Sequence, residues 1–347
     1  MSDSPDFDPN GVGVKGTLFG LPFTTDDAAI VVIPVPWDVT ASYGAGSANG
    51  PAAILEASSQ IDYAQPDMEE AWKLPIAMAE IPEVWQSRGK QLRGKAEGYI
   101  DWLEKGSPEA QEAEMMAVRD EINEQSLQLS VYLDQECIYW HDQGKLTLLL
   151  GGDHSTVYGH ITALTEQYES FGILQIDAHA DLREAYEGFT HSHASIMHNV
   201  LQIESIERLA QVGIRDFCEE EKEKIRTSDG RIRTFFDADL KAAQFEGRTW
   251  ANLCDEIVAS LPDKVYISFD IDGLDPKLCP NTGTPVPGGF ELEQVMYLIK
   301  KVVLAGKTII GADLNEVAPG ANQWDANVGS RALYRMALLM AQSNGLI

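Results

Sequence analysis

The stretch Phe171–Asp181, FGILQIDAHAD, decides how this chain folds. Its first half is a short apolar run, as expected of a strand buried on both faces. Its second half sets Asp177, His179 and Asp181 at every second position, and in an extended chain alternate side chains point the same way. His191 and His193 follow within a dozen residues. Three other stretches repeat the plan of an apolar strand ending in acids or histidines: KLTLLLGGDHS (145–155), KVYISFDIDG (264–273) and TIIGADLNEV (308–317). Open parallel sheets bind ligands in the crevice beyond the C-terminal ends of their strands. Four strands therefore converge on one edge with related chemistry.

Outward from these strands, the rest of the chain alternates strand and helix. AIVVIPV (29–35) and RLAQVGIRD (208–216) read as further strands, and GPAAILEAS (50–58) as a helix with Pro51 in its first turn. Helices are expected at about Ile122–His141, where Leu129, Leu133, Cys137 and Trp140 share a face, and at Thr156–Tyr168, Trp250–Ser260, Leu292–Ala305 and Val328–Gln342. Such alternation predicts an α/β fold of three layers, α/β/α, around a mainly parallel central sheet. Residues 1–28, rich in Gly, Asp and Pro, read as an N-terminal arm over the surface or at an oligomer contact. Residues 29–347 read as a single domain, with an acidic, irregular insertion or cap at about 63–123.

Composition narrows the function. The chain has 347 residues, 44% hydrophobic and 23% charged, with a net charge of −28. Such a surface repels nucleic acid and anionic membranes and is compatible with a cationic substrate. No apolar run approaches the ~18 residues of a membrane span, and the acidic start, MSDSPDFDPN, is unlike a secretory signal. Cys137, Cys218, Cys254 and Cys279 show neither CxxC spacing nor a disulfide framework. A soluble cytoplasmic protein is expected.

Asp177, His179 and Asp181 can face one point, Asp270 and Asp272 can do so from another strand, and His154 adds an imidazole from a third. Four carboxylates and two imidazoles suit two divalent ions sharing a bridging carboxylate. Oxygen-dominated ligands favour Mn²⁺ or a similarly hard ion. Ions ~3.5–4 Å apart can activate water as a nucleophile at neutral pH.

Taken in order, GGDHS (151–155), DAHAD (177–181), SFDIDGLDP (268–276), GTPVPGG (283–289) and ADLNEVAPG (312–320) resemble the ureohydrolases: arginase, agmatinase, formiminoglutamase and relatives. The resemblance runs from about Ala29 to the C-terminus and is closest in motif detail to agmatinase-like members. It implies an arginase-like fold and a binuclear manganese centre, with Ni²⁺ or another divalent ion as alternatives. The implied reaction is hydrolysis of a guanidino C–N bond to urea and an amine. His154, Asp177, Asp181 and Asp270 resemble the ligands of one ion and His179 and Asp272 those of the other, with Asp177 and Asp270 as bridges. His193 resembles a mobile histidine that passes a proton to the leaving amine. Glu316 resembles the carboxylate that binds and orients the guanidinium. A homotrimer or homohexamer is implied as well.

The substrate is less sharply marked. Arginases carry an Asn where this chain has Arg183, and an Asp for the substrate α-amino group where Cys218 stands. Both changes weaken an arginine reading and fit agmatine, a small cationic guanidino compound. Arg183 can also pair with an acidic tail, which suits guanidinobutyrate, guanidinopropionate or formiminoglutamate. Arginine and free guanidine remain alternatives. A non-catalytic scaffold relative would lack a ligand, and none is missing.

Overall fold

The apolar runs assemble into one sheet. The computed structural model describes residues 7–347, so the first six residues of the expected arm lie outside the described chain. Among the described residues the strands are β1 (Ile30–Pro34), β2 (Ile76–Met78), β3 (Leu146–Leu150), β4 (Phe171–Ile176), β5 (Ile206–Ile214), β6 (Ile232–Phe236), β7 (Lys264–Asp270) and β8 (Thr308–Asn315). Their order across the sheet is β2-β1-β3-β8-β7-β4-β5-β6, and every neighbouring pair is parallel. Parallel strands need crossovers, and these are supplied by α1 (Gly50–Ser58), α2 (Glu83–Glu104), α3 (Glu112–His141), α4 (Tyr158–Leu164), α5 (Ile196–Val200), α6 (Glu219–Thr227), α7 (Asp237–Phe245), α8 (Trp250–Ala259), α9 (Leu292–Leu304) and α10 (Trp324–Ser343).

Burial on both faces explains why the central strands read as continuous apolar runs. One core joins Leu148, Leu150, Leu174, Ile176, Ile267 and Phe269 to residues of α1, α8, α9 and α10. The other joins Val31, Ile33, Leu149, Ile173 and Tyr266 to residues of α2, α3 and α4. The result is the expected three-layer α/β/α arrangement. No helix among the described residues is long and apolar enough to cross a membrane. Cys137, Cys218, Cys254 and Cys279 are all free thiols.

Three expectations need correction. The stretch between Tyr63 and Asn123 is not irregular: it supplies edge strand β2, the whole of α2 and the start of α3. Trp85, Leu92, Ala96, Tyr99 and Ile100 of α2 are buried at helical spacing, but Gly89, Gly94, Gly98 and many charges hide that period. The helix expected from Ile122 begins ten residues earlier, at Glu112. Part of the arm is not superficial either. Leu18, Phe19 and Leu21 are buried, and Phe19 stacks edge-on to Tyr334 at 5.0 Å.

Between β3 and β4 the chain passes over the places later filled by β8 and β7. This leaves the C-terminal ends of β3, β8, β7 and β4 side by side, at a topological switch point. Register aligns them closely: Ile176 pairs with Phe269, Asp270 with Asn315, and Leu314 with Leu150. Asp177 thus stands beside Asp270, with the Gly151–Gly152 turn and Glu316 at the same level.

Candidate active site

Each strand end delivers its groups by a different local device. After β3, the turn at Gly151 and Gly152 carries the chain to His154, and Asp153 accepts a hydrogen bond from Ser155 N at 3.0 Å. After β4, Asp177 accepts from His179 N at 2.6 Å, which bends the strand end so that His179 and Asp181 face inward. After β7, Asp270 accepts from Asp272 N at 2.9 Å in the same way. After β8, Glu316 is buried and accepts from His154 N at 2.9 Å. Asp181 (φ 56°) and Glu316 (φ 62°) both sit in the left-handed region. Side chains pay roughly 1–3 kcal/mol to remain there.

The six expected ligands come together. His154 Nδ1 lies 2.9 Å from Asp181, 3.2 Å from Asp177 and 3.5 Å from Asp270. His179 Nδ1 lies 3.0 Å from Asp272 and 3.6 Å from Asp177. Two groups able to hold an ion emerge, His154–Asp177–Asp270 and Asp177–His179–Asp272, and they share Asp177. Asp270 enters only the first of these groups and Asp181 enters neither, whereas the sequence reading expected Asp270 to bridge and Asp181 to be a ligand of the first ion.

The donor chemistry fits cations. Asp272 Oδ2 is buried and receives no hydrogen bond. His154 Nε2 is 2.9 Å from Ser268 Oγ, and Ser268 Oγ donates to Asp313 Oδ1 at 3.2 Å. With Ser268 donating, its oxygen accepts the Nε2 proton, and Nδ1 faces Asp177, Asp181 and Asp270. Four buried carboxylates around two imidazoles need positive charge among them, from ions or from protons. With no ion, protons fill that role: against their burial, the neighbouring carboxylates raise His154 and His179 well above the ordinary imidazole range. Burial and neighbouring negative charge raise Asp181 to about 7, and raise Asp270 and Glu316 well above the ordinary carboxylate range.

A cleft opens from this cluster, lined by Ser42, Arg183, Tyr186, His193, Asp216 and Phe217 among others. His193 Nε2 is 3.5 Å from Ser42 Oγ, and its Nδ1 is buried without a partner. Burial first, then the neighbouring His179 and His154, hold His193 down to about 4, so it is neutral at pH 7. The Arg183 guanidinium lies 5.0 Å over the Tyr186 ring, with Nε 3.9 Å from Glu221. Glu221 is buried and accepts from Leu182 N and Cys218 N at 3.0 and 2.8 Å. Arg183 therefore lines the cleft with its charge offset, whereas Asp216 is mostly exposed, with His179 Nε2 at 3.9 Å. His191 packs against Tyr158 instead, at 5.8 Å.

Several supporting groups escaped the sequence reading. Gln175 Nε2 donates to Asp177 Oδ2 at 2.8 Å, Gln211 Nε2 donates to Gln175 Oε1 at 2.7 Å, and Thr234 donates to Gln211 at 2.8 Å. Arg215 clamps the loop after β7 through the carbonyls of Asp272 (2.6 Å) and Val286 (3.0 Å). The signal was available: Gln175, Gln211, Ser268 and Asp313 are polar residues inside otherwise apolar strands. The 63–123 stretch also supports the rim. Arg93 of α2 donates to the carbonyls of Val39 and Ala41, beside Ser42. Asn123 of α3 donates to Gly188 O at 3.1 Å and accepts from Thr190 N at 3.0 Å, bracing the loop that leads to His193.

The fold and this cluster define a class, and comparison with known proteins names it. The family model described as "Arginase family" matches residues 28–339. The N(1)-aminopropylagmatine ureohydrolase of Thermus thermophilus is 32% identical over 294 residues, covering 85% of this chain and 84% of that protein. The agmatinase of Bacillus anthracis is 28% identical over 301 residues, 85% of each. Among solved structures, the agmatine ureohydrolase of Thermoplasma volcanium has a TM-score of 0.69 at 20% identity, covering 99% of this chain and 98% of that one. At that identity the likeness speaks for the fold alone. The chain belongs to the arginase family. It is by class a ureohydrolase, a hydrolase acting on guanidino compounds, in a family that depends on paired metal ions.

Proposed function

We propose that the chain hydrolyses a small guanidine carrying an amine at its far end, agmatine or its aminopropyl derivative, to urea and the free amine. The observation that carries the tail assignment is the charge around the cleft. Its one cation among the described residues, Arg183, lies 3.9 Å from the buried Glu221, whereas Asp216, 3.9 Å from the His179 ring, is mostly exposed at the cleft and offers its carboxylate to an ammonium group. The names of the relatives agree with such a tail.

His154, Asp177, Asp181, Asp270, His179 and Asp272 would hold two divalent ions, Asp177 serving both. Such a pair supplies Lewis acidity and a water acidic enough to act as nucleophile at neutral pH. Mn²⁺ is the ion we assign, because oxygen donors predominate. Glu316 accepts the guanidinium N–H groups and holds the planar cation with its carbon facing the ions. Its buried carboxylate and constrained backbone keep that geometry fixed. His193, neutral and shielded, takes up a proton as charge builds and delivers it to the departing amine nitrogen. Tyr186 and Phe217 wall the tail's methylene groups. A single domain over 29–347, a homotrimer or homohexamer and a cytoplasmic location belong to the same reading. The assembly is checked by light scattering on the purified protein.

The test is urea release after loading with Mn²⁺ or, separately, Ni²⁺. Agmatine, aminopropylagmatine, arginine, guanidinobutyrate, guanidinopropionate and guanidine are compared, with formamide release from formiminoglutamate alongside. The amine-tailed guanidines should show the highest kcat/KM. A second reading, a guanidino acid held by Arg183, wins if guanidinobutyrate is preferred and Arg183→Ala abolishes that preference. No product from any compound sinks the hydrolase reading.

A further inference from the structure

A row of polar side chains crosses the sheet behind the ion-binding groups. Register sets Thr234 of β6 opposite Gln211 of β5, and Gln211 opposite Gln175 of β4. The row runs on through Ser268 of β7 to Asp313 of β8. Cross-strand partners point to the same face, so all five share the side of the sheet that Ile173 and Leu209 occupy. Gln175, Gln211, Ser268 and Asp313 are completely buried, and Thr234 is half-buried. Ser268 and Asp313 stand behind His154. The two glutamines call for a reason of their own, because a buried carboxamide is costly unless its groups are paired.

Donor counting shows that they are paired, and in one direction only. Thr234 Oγ1 donates to Gln211 Oε1 at 2.8 Å. Gln211 Nε2 donates to Gln175 Oε1 and to the Ala180 carbonyl, both at 2.7 Å. Gln175 Nε2 donates to Asp177 Oδ2 at 2.8 Å and to the His179 carbonyl at 3.2 Å. Turning the Gln175 carboxamide over would set its oxygen against a carboxylate and a carbonyl, which only accept. It would also bring its N–H groups against Gln211 Nε2, so neither glutamine can turn alone. Asp177 is thereby gripped at both oxygens, Oδ2 by Gln175 and Oδ1 by His179 N at 2.6 Å. Each oxygen keeps a second lone pair for a cation.

We propose that Gln175, locked in turn by Gln211, is a positioning residue for Asp177. Asp177 is common to both ion-binding groups, so Gln175 sets the plane of the carboxylate that the two ions would share. The same amides hold the carbonyls of His179 and Ala180, which ties the backbone between Asp177 and Asp181 to the middle of the sheet. Neither Gln175 nor Gln211 lines the cleft, so their influence runs through ion affinity and not through contact with substrate. The proposal rests on the reading of that cluster as an ion site. Groups behind metal ligands fix their orientation, and their loss weakens ion binding by about 10–100-fold.

The experiment is calorimetric titration of chelator-stripped protein with Mn²⁺, paired with the melting temperature of the stripped protein. Gln175→Met keeps the length of the side chain and removes both donors. It should weaken Mn²⁺ binding by about 10–100-fold, at both ions alike because they share Asp177. KM for the guanidino substrate at saturating Mn²⁺ should not change. Gln175→Met also leaves a Gln211 N–H without its acceptor, so the stripped protein should melt lower. The double variant Gln175→Met/Gln211→Met removes that stranded amide and should melt nearer the unaltered chain, while its Mn²⁺ affinity stays as low as that of Gln175→Met. A merely structural role requires the affinity to recover with the melting temperature. Such recovery, unchanged binding by Gln175→Met, or weakening confined to one ion overturns the proposal. Should Gln175→Met fail to fold, binding by the double variant as tight as that of the unaltered chain overturns it. If the unaltered chain takes up neither Mn²⁺ nor Ni²⁺, the ion-site reading itself fails and this proposal falls with it.

Discussion

His193 and Asp181 lie in one cleft but carry different kinds of constraint. Asp181 sits at φ 56° with its carboxylate 2.9 Å from His154 Nδ1, so the backbone is held in an unfavourable region to keep that oxygen against the His154 ring. His193 touches none of the clustered acids, and its hydrogen-bonding contact is the Ser42 hydroxyl at 3.5 Å. The two should therefore separate cleanly on substitution. Asp181→Ala is expected to lose bound Mn²⁺ and activity together. His193→Ala should retain Mn²⁺ in a metal analysis of the dialysed protein while kcat falls by about 10²–10⁴-fold, the usual contribution of a positioned acid–base group. A His193→Ala enzyme with an unaltered rate would remove the proton-transfer role. Arg183, which the sequence left between a substrate contact and a surface pair, lines the cleft beside its own counter-ion Glu221.

At the scale of elements, the four strand ends meet because the turn after β3 has no side chains. A Cβ on Gly151 would stand 1.8 Å from Asn315 Oδ1, and one on Gly152 would stand 1.9 Å from the Trp37 carbonyl oxygen. Backbone cannot yield as a flexible side chain can, so Gly152→Ala must push the turn, and His154 with it, away from β1's loop. A loss of about 1–3 kcal/mol, the usual cost of overpacking, is expected, read as a lower melting temperature with weakened Mn²⁺ binding. Gly94→Ala on α2 meets nothing within 4 Å and should stabilise by about 1 kcal/mol, because glycine inside an exposed helix is costly. A Gly152→Ala protein as stable as the Gly94→Ala one would contradict the packing argument. The same elements show what could be read in advance. β3, β4, β7 and β8 were legible because burial on both faces makes them short apolar runs, and the clustering of acids and histidines at their ends was visible in the letters, although these side chains lie in bent backbone past the strands and not in the extended chain expected. The 50–58 helix was legible in full from Pro51 and its apolar face. β2 has only three residues, behind Pro75, and β6 is half exposed, so neither carries the long apolar run of the central strands. α2 was hidden by three glycines, and the Gln175–Gln211 contact depends on a strand order that no local pattern reveals.

For the whole molecule, the decisive quantity is the charge gathered at one end of the sheet. Asp153, Asp177, Asp181, Asp270, Asp272 and Glu316 are all buried there, in a chain that already carries a net charge of −28. Two divalent ions would bring four positive charges to that cluster, more than its two imidazoles, His154 and His179, can supply. The ions should therefore act as structural supports of the sheet end as well as catalytic groups, since they bind the folded chain and find no preformed site in the unfolded one. An ion at a hundredfold excess over its Kd stabilises by about 2.7 kcal/mol. For a chain of this size that corresponds to roughly 4 °C in Tm for each ion. Stripping both with a chelator should thus lower Tm by several degrees, and restoring Mn²⁺ should recover it in two saturable steps. The rise should vanish in Asp177→Ala, the residue common to both groups, and be halved in Asp272→Ala, which belongs to one. Equal loss in the two variants would mean that the ions bind only as a pair, and no dependence of Tm on Mn²⁺ would remove them from the account of how this fold is held.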